Sequence, residues 1–267
     1  MRFRRRATAA VALLPLALGL AACGGEPKPT GYLPSAPVES STPSKPAVAK
    51  QQALQPATQL NRVTFLPAMK GAFARQKAWR TTGTMTAGGE TLMTMNGFQQ
   101  AEPLAMSMEM SGAAFDGAKA KVVMAGGKLY LSMPGVTPAG KYVALDLDDA
   151  SLAKFTELAA GADPTKTFAA FDKSLINAKF VRTETIAGRK LDRYAVTVDT
   201  AGALKAQGKA VPAGVPKTLT YDLWLDSSRL VRRLSFDLQG VSMVMTMDEF
   251  NKPVTIKAPP ASKIVTR

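Results

Sequence analysis

Two short motifs in this sequence have the residue types and spacing of catalytic sites, and neither motif is complete. The run from Gly135 to Lys141 matches the first part of a phosphate-binding loop, but Tyr142 stands where Ser or Thr would hold magnesium. Ser151 and Lys154 have the serine–lysine spacing of penicillin-binding enzymes, but neither Ser-Asp-Asn nor Lys-Thr-Gly follows them. We therefore interpret the first motif as a hairpin loop and the second as the entry to a helix.

The composition argues against catalysis and metal binding. The chain has no histidine and one cysteine, so the commonest general base and the commonest metal ligand are both missing. The carboxylates show no sequence pairing of the kind that glycoside hydrolysis uses. The runs of alternating methionines are soft ligands that could bind copper(I), but no His or free Cys would assist them. The sequence therefore predicts a protein that is not an enzyme and has no cofactor and no metal site.

The single cysteine, Cys23, has the sequence context of a lipid-attachment site. Residues 1–6 include four arginines and residues 7–20 are mostly apolar, which is typical of a secretory signal peptide and too short for a transmembrane helix of about 20 residues. The run Leu20-Ala21-Ala22-Cys23 matches the bacterial lipobox, in which the thiol receives a diacylglyceryl group. We predict that residues 1–22 are removed and that acylated Cys23 anchors the protein in membrane lipid, on the outer face of the cytoplasmic membrane.

Residues 23–59 are predicted to be a disordered tether rich in proline. Their composition buries too little apolar surface to offset the entropy lost on ordering. The net charge of the whole chain is +14, and the four leader arginines contribute to it. A basic surface beside a membrane suits anionic headgroups or cell-wall polymers, although the charge could equally serve solubility alone. We predict no nucleic-acid partner, because an exported, anchored protein rarely meets one.

Residues 60–267 are predicted to form one α+β domain. Leu66, Met69 and Phe73 have helical spacing, which predicts an amphipathic helix of about 12–15 residues with Thr64 as its cap. From Trp79 onward the apolar period changes to two, which indicates strands. About eleven antiparallel strands are expected, at residues 79–87, 91–99, 104–111, 119–125, 128–133, 141–147, 177–187, 190–199, 217–226, 230–239 and 241–250. Two helices are expected at 150–162 and 164–175, and a short helix or loop at 200–215.

Strict alternation along these strands predicts a sheet with one apolar face and one wet face. The apolar face is rich in methionine: Met106, Met108 and Met110 alternate with small or charged residues, and Met243 to Met247 repeat the pattern. Methionine is flexible and recurs on surfaces that accept ligands of variable shape. The alternation by itself is explained at least as well by ordinary core packing, and both interpretations remain open at this point.

Several segments resemble the actinobacterial lipoproteins of the LppX/LprA/LprF/LprG family, which are related in fold to the LolA and LolB carriers. The matching segments are residues 127–134, 140–146, 163–164, 193–199, 223–226 and 250–259. The resemblance implies a strongly curved antiparallel half-barrel whose concave apolar face is partly covered by helices and encloses a hydrophobic cavity. It favours the cavity over plain core packing. The residues then expected to line the cavity are Met93, Met95, Met106, Met108, Met110, Leu129, Leu131, Tyr221, Leu223, Leu225, Met243, Met245 and Met247.

The resemblance implies a lipoprotein that binds an acylated lipid or glycolipid and carries or presents it. A membrane transporter or regulator is the protein partner that such a role would use, because the sequence encodes no energy source. The alternative is an envelope sensor of the same fold that acts through a membrane partner. A third alternative, an enzyme such as a cell-wall hydrolase, would need a polar cluster inside the cavity, and the alternation shows none.

Overall fold

The computed structural model describes residues 59–146, 171–206 and 210–265. The predicted signal peptide, Cys23 and nearly all of the tether lie outside these residues. So do the helix expected at 150–162, the start of the one expected at 164–175, and the serine–lysine motif.

The described residues form twelve strands and a few short helices. The helices are α1 (Phe65–Phe73) and α2 (Thr200–Ala206), with further helical residues at 171–174 and 3-10 turns at Ala113–Phe115 and Ala261–Lys263. The strands are β1 (Ala78–Ala87), β2 (Glu90–Gln100), β3 (Ala105–Ser111), β4 (Lys119–Ala125), β5 (Lys128–Ser132), β6 (Tyr142–Asp146), β7 (Leu175–Ile186), β8 (Arg189–Asp199), β9 (Thr218–Leu225), β10 (Val231–Leu238), β11 (Val241–Asp248) and β12 (Ile264–Val265). Among the described helices, none is long and apolar enough to cross a membrane.

The strands make one sheet in the order β12-β6-β5-β4-β3-β2-β1-β11-β10-β9-β8-β7. Every neighbouring pair is antiparallel apart from β12 and β6. Pairing of β11 with β1 joins the two runs of consecutive hairpins into a single sheet. The eleven predicted strands are confirmed to within two residues at each end. The twelfth strand was not predicted, because two residues carry no periodicity.

Glycine pairs turn two of the hairpins. Gly88 and Gly89 have φ angles of 58° and 84°, and Gly126 and Gly127 have 59° and 74°. These positive values suit the tight turns that match the twist of the flanking strands. The run from Gly135 to Lys141, which resembles a phosphate-binding loop in sequence, is confirmed as the loop between β5 and β6. At the end of this loop, the Lys141 Nζ donates to the Ser262 carbonyl at 2.8 Å.

Helix α1 differs from its prediction in its length and in the hydrogen bonding at its cap. It has nine residues, and the chain then turns so that β1 can begin at Ala78. Thr64 occupies the N-cap position, as predicted, but its side chain makes no capping hydrogen bond. The Asn61 side chain accepts the backbone N–H groups of Val63 and Thr64, at 2.9 and 3.1 Å, while the Thr64 hydroxyl accepts the Asn61 N–H at 3.0 Å. An Asx turn at Asn61 therefore precedes the helix. The helix predicted at 164–175 is also too long, since Leu175 belongs to β7.

The apolar face of the sheet holds two separate cores. Helix α1 buries Phe65, Leu66 and Phe73 in the larger core, where the Phe65 ring lies 5.6 Å from that of Tyr194. The larger core extends over strands β1, β2 and β7 to β11. The smaller core covers β3 to β6 and contains Met106, Val122, Met124, Leu129, Leu131, Val143 and Leu145.

The second face is not uniformly wet, which corrects the sequence prediction. After β11 the chain runs back to β6, and Ile256 and Ile264 pack against Val123, Ala125 and Tyr130 on this face. Alternation along β5 places Tyr130 on this second face, together with Lys128 and Ser132, yet Tyr130 is buried. The C-terminal segment covers this end of the sheet, a contact that strand periodicity does not encode.

Candidate functional site

All of the residues predicted to line a cavity lie on the same face of the sheet. In antiparallel sheets, residues directly opposite each other share a face. Met95 is opposite Met110, Met106 is opposite Met124, and that residue is opposite Leu129. On the other half of the sheet, Tyr221 is opposite Phe236, which is opposite Met243. The predicted alignment of these side chains on one face is thus present.

Most of these residues are packed into the two cores. Each of the packed residues is at most 8% exposed. The larger core contains Met93, Tyr221, Leu223, Leu225, Met243, Met245 and Met247, and the smaller core contains Met106, Leu129 and Leu131. For these ten, core packing describes the structure.

Three of the predicted residues, Met95, Met108 and Met110, remain half-buried, and we call them the methionine strip. They lie on the adjacent strands β2 and β3, where the two cores meet. Met110 packs against both cores and Met95 against the larger core. Met108 belongs to neither core, although it is opposite Val122, which is 1% exposed. The apolar face is therefore least consolidated at Met108.

Two glycines form the floor beneath the methionine strip. Gly83 is opposite Met95 and Met245, and Gly97 is opposite Met108. A Cβ atom built on Gly83 would lie 2.8 Å from the Cγ of Met95, and one built on Gly97 would lie 2.9 Å from the Sδ of Met108. The methionine side chains thus lie directly on glycine backbone. The missing side chains leave a shallow trough that the thioethers fill.

At one end the methionine strip borders a polar side chain, Gln99, which is packed against its neighbours. Gln99 is 6% exposed on the apolar face, where its Oε1 accepts the indole N–H of Trp79. Its Nε2 donates to the Sδ of Met106 at 3.8 Å. The cleft lined by Trp79, Gln99, Leu104, Met106 and Met124 has no room for a water molecule. A ligand would therefore have to displace side chains at this boundary.

The densest ionic network lies on the opposite face of the sheet. Glu184 accepts hydrogen bonds from the Trp224 indole at 2.9 Å and from the Arg182 Nε at 2.7 Å, and these hydrogen bonds lower its pKa. Arg193 donates to both carboxylate oxygens of Asp222, at 3.0 and 2.7 Å, and this pairing raises the pKa of Arg193. The Arg193 guanidinium also lies 5.3 Å from the Trp224 ring centre. This network lies on the second face of the sheet, away from the uncharged side chains of the methionine strip.

The described residues offer no arrangement suited to metal binding or acid–base catalysis on the apolar face. Nowhere in the described ranges do three or more His, Cys, Asp or Glu side chains come together. The one ionisable group among the candidate residues, Tyr221, has its pKa raised by burial. What the strip can do chemically is to contact an apolar molecule.

Sequence reasoning missed the two floor glycines. Gly83 and Gly97 interrupt strands that are otherwise well patterned, and an isolated glycine in a strand often marks close approach of another group. That signal was present in the sequence. The half-burial of Met108 carries no such signal, because Met106 and Met108 occupy equivalent positions in the alternation along β3.

No protein-family model matches the chain, and no curated protein matches it in sequence. Solved structures do match. The Mycobacterium tuberculosis lipoprotein LppX is 16% identical, with a TM-score of 0.51 over 73% of this chain and 98% of LppX. LprF from Mycobacterium bovis is 15% identical, with a TM-score of 0.53 over 74% of this chain and 96% of LprF. A LolA superfamily protein from Nitrosomonas europaea is 10% identical, with a TM-score of 0.30. The structural similarity to LppX and LprF predicted from the sequence is confirmed, and the described domain has the fold of these two lipoproteins.

Proposed function

We propose that this protein is an envelope lipoprotein that binds an acylated lipid or glycolipid on the methionine strip and carries or presents it. In this proposal residues 1–22 are a signal peptide, acylated Cys23 is the membrane anchor, residues 23–59 are a tether and residues 60–267 are the binding domain. The proposal includes strong curvature of the sheet, with the apolar face concave and partly covered by helices. Its role is binding, without catalysis or a cofactor.

The observation that carries the proposal is the state of Met108. A side chain on the apolar face of a sheet normally joins a core, whereas Met108 is half-buried and packs in neither core. Its thioether lies over the Gly97 backbone, 2.9 Å from where a Cβ atom on Gly97 would be. Because methionine has three rotatable side-chain bonds, it can leave this position at small cost and pack again on a ligand.

An acyl chain fits the surface that would be exposed when the methionines rotate. The methionine side chains over Gly83 and Gly97 are uncharged, and apolar side chains of both cores border them. Each buried methylene contributes about 0.8 kcal/mol, so six methylenes in the trough would supply roughly 5 kcal/mol. That amount suits reversible loading of a carrier. The trough supplies no charged partner for a headgroup, so the acyl chain is the part of the ligand that it would recognise.

The direct test is native mass spectrometry of the mature protein purified from a lipid-producing actinobacterium. We expect additional masses in the range of diacyl or triacyl lipids, which organic solvent removes. A folded protein that has no additional mass and whose melting temperature does not change with any amphiphile would contradict the proposal.

A matched pair of substitutions tests the site. Met108→Lys places a charge on the strip, and we expect at least a tenfold loss of bound lipid because the ammonium group opposes burial of an acyl chain. Ser107→Lys is the control: it is the adjacent residue on β3, is also half-buried, and faces the other side of the sheet. Equal lipid content in the two variants would show that binding occurs elsewhere.

A further inference from the structure

One corner of the sheet is where the described chain begins. At this end β8 finishes and β7 and β9 start, because Leu175 is opposite Val198 and Thr218 is opposite Asp199. The Arg62 Nε donates to the Leu175 carbonyl at 3.2 Å. The first described residues therefore lie next to the start of β7. We call this end of β7, β8 and β9, together with residues 62–63 and α2, the entry corner.

The entry corner exposes basic and apolar side chains together. Val63 is 76% exposed and Ile176 is 46% exposed. Four cationic side chains are also exposed here: Arg62, Lys173, Lys205 and Lys217. The corner is continuous, since the Thr200 N–H donates to the Lys217 carbonyl at 3.0 Å and so links α2 to the start of β9.

Acidic groups at the entry corner are already engaged. Asp172 forms an ion pair with Lys70 on α1. Asp199 accepts the backbone N–H of Gly202 at 3.0 Å. Within the described chain, Lys173, Lys205 and Lys217 form no ion pair. The corner therefore has an excess of positive charge that the described residues do not neutralise.

The opposite end of the sheet also has cations, but carboxylates accompany them. Arg232 pairs with Asp226 at 2.6 Å, and Arg229 lies 3.7 Å from Asp192. Glu249 lies between two cations, since it pairs with Arg80 at 3.3 Å and with Lys252 at 3.5 Å. Several cations at the opposite end are thus compensated, although Lys77 and Lys190 there form no ion pair within the described residues.

We propose that the entry corner docks the domain on an anionic lipid bilayer. Lysine and arginine near such a surface each contribute about a factor of five in binding, and exposed aliphatic side chains add apolar burial in the interface. The occupant is a membrane because the charge and the apolar side chains occur beside the first described residues, which follow Cys23 in the chain. The inference goes beyond the proposed function, since docking requires no bound ligand. It uses the proposed anchor only to keep the domain near the membrane.

Single cysteines can test this orientation, because Cys23 is the only cysteine in the chain. Val63→Cys places a label in the entry corner. Leu104→Cys is the control, in the turn between β2 and β3 at the other end of the sheet, where Leu104 is 42% exposed. The full acylated chain is reconstituted in vesicles of phosphatidylcholine alone or with phosphatidylglycerol, and an environment-sensitive fluorophore is attached to the introduced thiol.

We expect a blue shift of the Val63→Cys label on anionic vesicles at low salt, loss of that shift at high salt, and no shift of the Leu104→Cys label. Mass spectrometry first establishes whether Cys23 takes up fluorophore. If it does, the anchor in the proposed function has failed, and the same measurement on a Cys23→Ser background still tests docking. Equal shifts at both labels, or no shift at either, would overturn the docking surface. Protection of the Val63→Cys label without lipid would also overturn it, because a protein would then cover the corner.

Charge variants provide the second readout. Replacing both Lys173 and Lys217 with Gln is expected to lower the ratio of docked to undocked domain about 25-fold on anionic vesicles. The matched control replaces Lys77 and Lys190 with Gln; both are exposed lysines at the opposite end of the sheet. Equal losses in the two double variants would mean that overall charge, and not this corner, drives association.

Discussion

The close approach of β2 and β3 at Gly97 leads to a quantitative prediction about Gly97→Ala. A Cβ atom at this position would lie 2.1 Å from the Ser107 carbonyl oxygen and 2.8 Å from the Cα of Met108. Both are backbone atoms of β3, so the strand pair must move apart to accept the methyl group. At Gly83, by contrast, the contacts are to the Cγ and Sδ of Met95, at 2.8 and 3.0 Å, and to the Cγ of Met245 at 3.3 Å. Flexible side chains can yield there.

The two substitutions should therefore differ in their effect on stability. Overpacking against a backbone that cannot yield costs about 3 kcal/mol, which for a domain of this size lowers the melting temperature by roughly 6–12 °C. For Gly83→Ala, rotation of the methionines relieves the contact, and the better strand propensity of alanine returns about 0.5–1 kcal/mol. We expect Gly83→Ala to remain within about 1 kcal/mol of the wild type.

Urea denaturation followed by tryptophan fluorescence and circular dichroism measures both variants against the wild type. The difference between Gly97→Ala and Gly83→Ala is the informative quantity, because the chemical change is identical. Equal free energies of unfolding would refute the distinction between backbone and side-chain contacts. If Gly83→Ala is stable, its displaced Met95 should also alter lipid content, which the mass spectrometric assay can detect.

Three further predictions concern the anchor and two titrating groups. Cys23→Ser should move the protein from the membrane fraction to the soluble fraction, and unchanged fractionation would exclude acylation as the anchor. Hydrogen bonds from Trp224 and Arg182 lower the pKa of Glu184 below its ordinary value near 4.5, so its stabilising effect is present above that pH and is lost as pH falls through the lower folded-state pKa. The difference in unfolding free energy between wild type and Glu184→Gln should therefore shrink below about pH 4.5, and a constant difference would contradict this assignment. Burial raises the pKa of Tyr221 above its ordinary value near 10, so the wild type should lose stability above about pH 10 and Tyr221→Phe should lose less, as denaturation at two alkaline pH values can show.

Local periodicity was sufficient to predict most of the sheet. Alternation in segments such as Met106 to Met110 determines which side chains share a face, because successive strand residues point to opposite sides. Glycine pairs placed the hairpin turns for a similarly local reason. The helix start at Thr64 was predicted from the sequence, but its hydrogen bonding was not, because the Thr64 hydroxyl accepts the Asn61 N–H and caps no helical N–H.

Burial depth on that face was decided by tertiary structure alone. Met106 and Met108 occupy equivalent positions in the alternation, yet Met106 is 6% exposed in the smaller core and Met108 is half-buried outside both cores. Burial depends on which elements cover a position, and those elements are distant in sequence. The pairing of β11 with β1 also depends on contacts between residues that are distant in sequence. The same is true of the C-terminal segment that packs over Tyr130. The sequence alone determined which side chains face the interior, whereas long-range packing decided which of them remain accessible to a ligand.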